Sequence, residues 1–169
     1  GGITPWGTWL SCEEVLAGGV WECDPIGAVP AVKHPGMGIF LHEAAACHPT
    51  EQVVYMTEDI VDGALYRFVP DTWGDLSAGR LDVLTEPTVG TLVWVEVPDP
   101  LGAPIATRNQ VANTKRFNGG EGIDLSGNNV IFTTKGDNRV WSYDPTANTL
   151  SVLYDAAINV GGVLSGVDN

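Results

Sequence analysis

Residues 53–70 read Val53-Val54-Tyr55-Met56-Thr57-Glu58-Asp59, then Ile60-Val61-Asp62-Gly63, then Ala64-Leu65-Tyr66-Arg67-Phe68-Val69-Pro70. An apolar segment with a polar end leads through an Asp-Gly turn to an aromatic segment that is closed by proline. β-branched and aromatic residues favour strands, whereas Asp and Gly favour turns. The stretch therefore predicts a strand–turn–strand unit.

The same unit occurs twice more in the chain. Thr8–Glu13 leads to Gly19–Pro25, and Val130–Lys135 leads through a turn to Arg139–Pro145. Each copy has an apolar strand with a polar end, a turn, and an aromatic strand that Pro or Asp-Pro closes. The recurrence indicates a fold built from repeated β units.

The spacing of the repeat predicts β-propeller blades. Trp21, Tyr66 and Trp141 lie 45 and 75 residues apart, and the larger spacing is close to twice a unit of about 38 residues. Weaker strand candidates at Leu81–Thr85 and Leu92–Val97 fill the gap. A period of about 40 residues with four strands per unit is typical of propeller blades. A β-sandwich has a similar strand density but lacks this repeated unit.

We therefore expect an all-β chain that forms a partial β-propeller of about four blades. Strand candidates are short and separated by turn residues, and no stretch has a convincing 3.6-residue apolar period. The chain begins with Gly1-Gly2 rather than Met and ends inside a turn-like cluster at Gly166–Asn169. We expect residues 1–169 to be an internal part of a single propeller domain.

Composition restricts the partners of the protein. The net charge is −13, from 21 acidic and 8 basic residues. This charge argues against nucleic acid and anionic membranes as partners, because both are polyanions. No run of about 20 apolar residues is present that could span a membrane. We expect a monomer.

Acidic or amide residues cluster where short apolar strands end. Carboxylates that crowd together repel one another unless cations neutralise them. The innermost strands of propeller blades run along one channel, so equivalent strand ends meet there. The clusters therefore predict an oxygen-rich cation site. They are Cys12-Glu13-Glu14, His42-Glu43, Thr57-Glu58-Asp59, Gly119-Gly120-Glu121-Gly122 and Gly166-Val167-Asp168-Asn169.

Several of these motifs together resemble PhoX-type alkaline phosphatases and their less characterised relatives. The resemblance begins with the opening motif, residues 1–14, and continues through the other motifs over essentially the whole chain. It implies a six-bladed propeller that hydrolyses small phosphate monoesters with a calcium and iron cluster at the channel mouth. It also implies export to the periplasm or outside the cell. The further motifs are Phe40–Glu43, Tyr55–Asp59, Asp62-Gly63, Leu65–Phe68, Phe117–Gly122 and Gly166–Asn169.

The resemblance also implies metal ligands. Glu14, Glu43 and Glu121 correspond to metal-binding glutamates of the family, and Asn169 to an asparagine that supplies an oxygen to calcium. Oxygen ligands suit calcium and ferric iron, since both are hard cations. Further candidates, for which turn capping or a solvated strand end is the alternative, are Glu13, Glu58, Asp59 and Asp168.

Two departures from the family pattern leave the activity open. The phosphatases carry a phosphate-binding arginine two residues before the glutamate that corresponds to Glu121, and here that residue is Gly119. Arg116 and Lys115 stand further upstream. The iron-binding cysteine of the family corresponds to a position before Gly1. Two functions therefore remain: a metal-dependent phosphomonoesterase, or a metal-stabilised propeller of the same family that acts as a binding module or on another ester.

Overall fold

The computed structural model describes residues 1–159, 161–162 and 164–168. These residues form three antiparallel sheets and two short 3-10 helices, at Pro35–Met37 and Thr107–Asn109, with no α-helix among them. Within the described part of the chain, no helix is long and apolar enough to cross a membrane. The predicted all-β class is confirmed.

In each sheet the strands pair in sequence order, so each sheet is an antiparallel meander. Sheet 1 contains β1 (Gly2–Ile3), β2 (Trp9–Cys12), β3 (Val20–Cys23) and β4 (Val32–Lys33). Sheet 2 contains β5 (His42–His48), β6 (Val53–Glu58), β7 (Leu65–Thr72), β8 (Asp75–Thr88) and β9 (Thr91–Glu96). Sheet 3 contains β10 (Gly120–Ser126), β11 (Asn129–Thr134), β12 (Arg139–Asp144) and β13 (Thr149–Asp155).

The predicted equivalence of the three repeat aromatics is confirmed. Trp21, Tyr66 and Trp141 each lie in the third strand of a sheet, in β3, β7 and β12. Each faces a residue of the second strand of its own sheet in the backbone register. The strand–turn–aromatic unit is therefore the second and third strands of one meander.

The expected number of about four units is wrong for the described residues, which form three sheets. The strands predicted at Leu81–Thr85 and Leu92–Val97 belong to β8 and β9, which extend sheet 2 to five strands. A connection at residues 97–119 follows, and it makes backbone contacts with this sheet, since the Lys115 amide donates to the Leu84 carbonyl at 2.9 Å. The 75-residue spacing between Tyr66 and Trp141 therefore corresponds to one long repeat unit rather than to two short ones.

Sheet 2 is packed on both of its faces. Alternate residues of β6 point to opposite sides, as the two-residue period of a strand requires. Val54 and Met56 join a core with Leu10 of sheet 1. Val53 and Tyr55 join a second core with Val130 and Phe132 of sheet 3 and with Phe117, which lies just before that sheet in the chain. Sheet 2 therefore lies between the other two sheets.

The first strands of the three sheets lie next to one another, with β5 in contact with both β1 and β10. The approach of β1 requires a glycine, because a Cβ atom on Gly2 would lie 1.7 Å from the Ala45 carbonyl oxygen. A cleft of about 510 Å³ opens beside these strands and is lined by residues of β1, β5, β10 and β11, among them Ile3, Ala45, Ile123 and Phe132. One side of each first strand thus faces a common space.

An ion pair with a buried carboxylate joins the 97–119 connection to sheet 2. Glu58, at the end of β6, is 1% exposed, and its Oε1 accepts a hydrogen bond from Arg108 Nη1 at 2.8 Å. Its Oε2 accepts from the Ala64 amide at 3.1 Å and from the Tyr66 hydroxyl at 3.0 Å. Burial raises the pKa of Glu58, against the effect of Arg108.

Arg108→Met should destabilise the protein by about 3 kcal/mol, because it leaves the Glu58 carboxylate buried without its cation. Urea unfolding followed by tryptophan fluorescence measures the change. The matched control is Arg116→Met, since Arg116 is exposed and donates to the Asp62 carbonyl and to Asn109 Oδ1; this variant should stay within about 0.5 kcal/mol of wild type. Equal free energies of unfolding for the two variants would contradict the structural role of Arg108.

Candidate metal centre

Five carboxylates from different parts of the chain lie together at one end of the first strands. Glu14, Glu43 and Asp59 each place one oxygen within 4.8 Å of the others. Glu43, Glu121 and Asp168 form a second such group. Glu43 belongs to both, so the two groups are adjacent. We call these five residues the carboxylate cluster.

Two β-bulges set the directions of the Glu43 and Glu121 side chains. In β5 the pairing with β6 runs from His42–Glu58 to Ala45–Met56, which leaves one extra residue in the segment that contains Glu43. In β10 the pairing with β11 runs from Gly120–Thr134 to Ile123–Phe132, with the same extra residue beside Glu121. A bulge redirects side chains at a strand end. Glu43 and Glu121 therefore occupy equivalent bulges of neighbouring sheets.

The ends of the second strands supply the rest of the cluster. Glu14 follows β2 by two residues, and Asp59 follows β6 directly. At the same end of sheet 3, Lys135 follows β11 directly. The repeat therefore places charged residues of three sheets at one mouth, with two carboxylates and one ammonium group in equivalent positions.

Lys135 joins the two carboxylate groups. Its Nζ lies 2.7 Å from Asp59 Oδ2 and 2.6 Å from Glu121 Oε1. The hydrogen bond to Asp59 and the adjacent Glu121 carboxylate raise the pKa of Lys135. The ammonium group of Lys135 thus links Asp59 of one carboxylate group to Glu121 of the other.

Glu121 is the most buried member of the cluster, at 2% exposed. Burial raises its pKa to about 7, and the neighbouring Asp168 and Asp59 act in the same direction. Although its Oε1 lies near Lys135 Nζ, that oxygen is buried and accepts no hydrogen bond of normal geometry from the described residues. The pKa of exposed Glu14 is raised mainly by the charge of Glu43. Burial and neighbouring like charges therefore both oppose ionisation of carboxylates in this cluster.

Two of the candidate ligands have other partners. Glu13 forms an ion pair with Lys33 at 2.6 Å and accepts a hydrogen bond from the Gly19 amide at 3.0 Å. These contacts lower its pKa to about 2, chiefly through Lys33. Glu58 is engaged by Arg108 and lies in neither carboxylate group. Asn169 lies outside the described residues, so its predicted role stays a prediction.

The position of the missing arginine is tightly enclosed. Gly119 is buried with a φ of 70°, a conformation that favours glycine. A Cβ atom there would lie 3.1 Å from Lys135 Cγ and 3.4 Å from Asp59 Oδ1. An arginine at this position would therefore be strained in the present backbone and would compete with Lys135 for space.

Neither the cysteines nor His42 joins the cluster. Cys12, Cys23 and Cys47 are free thiols and belong to neither carboxylate group. His42 is fully buried, with Nε2 at 3.0 Å from the Gly38 carbonyl oxygen and its ring stacked on Phe40. Burial lowers the pKa of His42 to about 3. The donors that the described groups offer are carboxylate oxygens.

Lys135 was missed as a site residue in the sequence, although a signal for it was present. When the repeat units are aligned by their second strands, Lys135 corresponds to Asp59. Each is the first residue after its strand. A basic residue at a position that is acidic in the neighbouring unit would have marked it. What the sequence could not indicate was that its ammonium group lies between the two carboxylate groups.

The raised pKa of Glu121 predicts a pH-dependent loss of stability in the metal-free protein. The folded state holds the Glu121 proton up to about pH 7, whereas an unfolded glutamate releases it near 4.5. Folding is therefore disfavoured progressively as pH rises through this window, by up to ~3 kcal/mol. Glu121→Gln should remove this dependence, as measured by urea unfolding in EDTA at pH 5 and pH 8.

Other titrating groups contribute equally to the pH dependence of stability in wild type and in Glu121→Gln, so the difference between the two proteins reports on Glu121. His42, whose lowered pKa makes stability rise with pH below about 6.5, is present in both proteins. Glu51→Gln, in an exposed turn between β5 and β6, is the control and should retain the wild-type profile. Parallel profiles for wild type and Glu121→Gln would contradict the prediction.

Comparisons with known proteins identify the family. A family model described as alkaline phosphatase PhoX matches residues 15–139, well over half of the chain. Comparison with curated proteins and with solved structures found no match. The matched residues include Glu43, Asp59 and Glu121 of the carboxylate cluster. The chain therefore belongs to the PhoX alkaline phosphatase family.

Proposed function

We propose that the protein is a metal-dependent phosphomonoesterase whose carboxylate cluster holds calcium and iron. The observation that carries this proposal is that Glu43 belongs to two adjacent groups of three carboxylates, each compact enough for one cation. A carboxylate shared between two cations sets a short spacing between them. Such a spacing suits a two-metal phosphoryl-transfer site.

The donor set fits hard cations. Both groups offer carboxylate oxygens, which calcium and ferric iron prefer to sulfur or nitrogen. The buried Glu121 Oε1, without a hydrogen bond of normal geometry, is an oxygen that a cation would satisfy. Glu14, Glu43 and Asp59 would hold one cation, and Glu43, Glu121 and Asp168 the other. We further propose that Asn169 adds an oxygen ligand to calcium.

When bound there, calcium and iron supply positive charge that neutralises a phosphate ester and stabilises an in-line displacement at phosphorus. The protein contributes fixed positions for the ligands. The two bulges hold Glu43 and Glu121 on the rigid first strands, and Thr57 Oγ1 ties the sheets together by donating to the Glu121 carbonyl at 2.6 Å. The low exposure of Glu121 also limits access of bulk water to that side of the cluster.

We propose that the three sheets are successive blades of a six-bladed β-propeller. Three features support this: the meander order of each sheet, the face-to-face packing of sheet 2 between its neighbours, and the adjacent first strands β1, β5 and β10. The cleft of about 510 Å³ would then be part of the central channel. Asp168 belongs to the cluster and also lines this cleft, so the channel would lead to the cations.

The substrate we propose is a small phosphate ester. The net charge of −13 disfavours nucleic acid and anionic membranes as partners, although bound cations would reverse the local charge at the mouth. Family membership supports a periplasmic or extracellular location and a monomeric state as further proposals.

The second candidate function is a metal-stabilised propeller without phosphatase activity. Gly119 favours it, because the guanidinium contact of the phosphatases is missing and the backbone there disfavours its replacement. Loss of a charge-assisted contact to a transition state typically slows a reaction by roughly 30- to 1000-fold. Metal binding is common to both candidates, whereas turnover of p-nitrophenyl phosphate separates them.

Calcium should raise the melting temperature of the protein, and Glu43→Gln should weaken calcium binding by at least ~10-fold. The reason is that Glu43 is the carboxylate common to both groups, so its loss removes a ligand from each. Isothermal titration calorimetry gives the affinity, and elemental analysis after dialysis gives the calcium and iron content. Chelation with EDTA should abolish any hydrolysis of p-nitrophenyl phosphate.

Glu51→Gln carries the same chemical change on an exposed turn and should bind calcium like wild type. If wild type retains no metal and its melting temperature does not respond to calcium, the cluster is not a metal centre. If it binds metal but hydrolyses no phosphate ester, the second candidate function is correct.

A further inference from the structure

The ammonium group of Lys135 lies where the two carboxylate groups meet. Its partners Asp59 and Glu121 belong to different groups, and these groups share Glu43. The lysine side chain is 49% exposed, whereas its partners are 9% and 2% exposed. The Lys135 ammonium group therefore lies in the cluster, while about half of its side chain is exposed to solvent.

Lys135 also occupies the space beside Gly119. Lys135 Cγ is the nearest atom to a Cβ built on Gly119, at 3.1 Å. The two backbones are paired, since the Lys135 amide donates to the Gly119 carbonyl oxygen at 2.9 Å. A side chain from either residue would reach the same part of the cluster. A cation at this place can thus come from position 135 instead of position 119.

Cations in the two groups would change the position of this ammonium group. A metal ion bound by Glu121 or Asp59 would lie within ~5 Å of Lys135 Nζ, and like charges at that distance repel strongly. Four rotatable bonds and high exposure allow the lysine to move out to the mouth. There it would face an anion bound to the same cations.

We propose that Lys135 is an exchangeable counter-ion: it neutralises the carboxylates while they hold no cation and binds the phosphoryl oxygens of the substrate once they do. This inference rests on the proposed metal site and names the residue that replaces the missing arginine. Lysine binds phosphate as a point charge, so it needs no planar guanidinium fork. The phosphate contact would therefore survive the glycine at position 119.

The test compares wild type with Lys135→Met and Lys135→Arg by calorimetry in two titrations. The first titrates calcium into metal-free protein. Lys135→Met should bind calcium roughly 10-fold more tightly, because the competing ammonium group is gone. The second titrates phenylphosphonate, a phosphate-ester analogue that is not hydrolysed, into calcium-loaded protein. Lys135→Met should bind it roughly 10- to 100-fold more weakly, and Lys135→Arg should bind it like wild type.

Lys115→Met is the control, because Lys115 also pairs with a glutamate, Glu86, but lies outside the cluster. It should match wild type in both titrations. Lys135→Gln serves as a second neutral variant, and thermal melts establish that each variant is folded. Failure of wild type to bind calcium rejects the metal site itself. If calcium binds but Lys135→Met changes either affinity no more than Lys115→Met does, the exchangeable counter-ion is rejected.

Discussion

Burial of both faces of sheet 2 is the constraint on which the rest of the structure depends. Val53 and Tyr55 need sheet 3 to cover them, while Val54 and Met56 need sheet 1. A sheet covered on both sides fixes the separation and direction of its neighbours. Consequently the first strands β1, β5 and β10 lie side by side, and the strand ends that carry acids meet in one place. The free energy gained by burying these apolar side chains thus offsets the repulsion among the crowded carboxylates.

The bulges show how a regular meander is adapted to a site. An unbroken strand would alternate its side chains and send every second residue toward a neighbouring sheet. One extra residue in β5 and one in β10 break that alternation beside Glu43 and Glu121. The same irregularity at the same place in two sheets is more informative than either alone. Each bulge lies beside a glutamate of the carboxylate cluster.

Charge balance links the site to its surroundings. Glu13, whose pKa is lowered, has a basic partner and a backbone donor, whereas Glu14 and Glu121, whose pKa values are raised, lie among like charges or away from water. Lys135 offsets part of this imbalance in the cluster. Its side chain is 49% exposed, whereas that of Arg108, which pairs with the buried Glu58, is 17% exposed. The two ion pairs therefore differ in how closely the surrounding protein encloses the basic side chain.

The sequence by itself determined the all-β class, the repeat unit and the residues at its strand ends, because these depend on local period and turn chemistry. Glu14, Glu43, Asp59, Glu121 and Asp168 all belong to the acidic clusters of the sequence, and the structure brings them together. Only the tertiary structure assigned β8 and β9 to sheet 2. Strand pairing depends on hydrogen bonds between strands, and the spacing of residues in the sequence does not show which strands pair. The tertiary structure alone also separated Glu58, which Arg108 engages, from its neighbour Asp59. Successive residues of a strand face opposite sides, and only packing decides which side becomes the site.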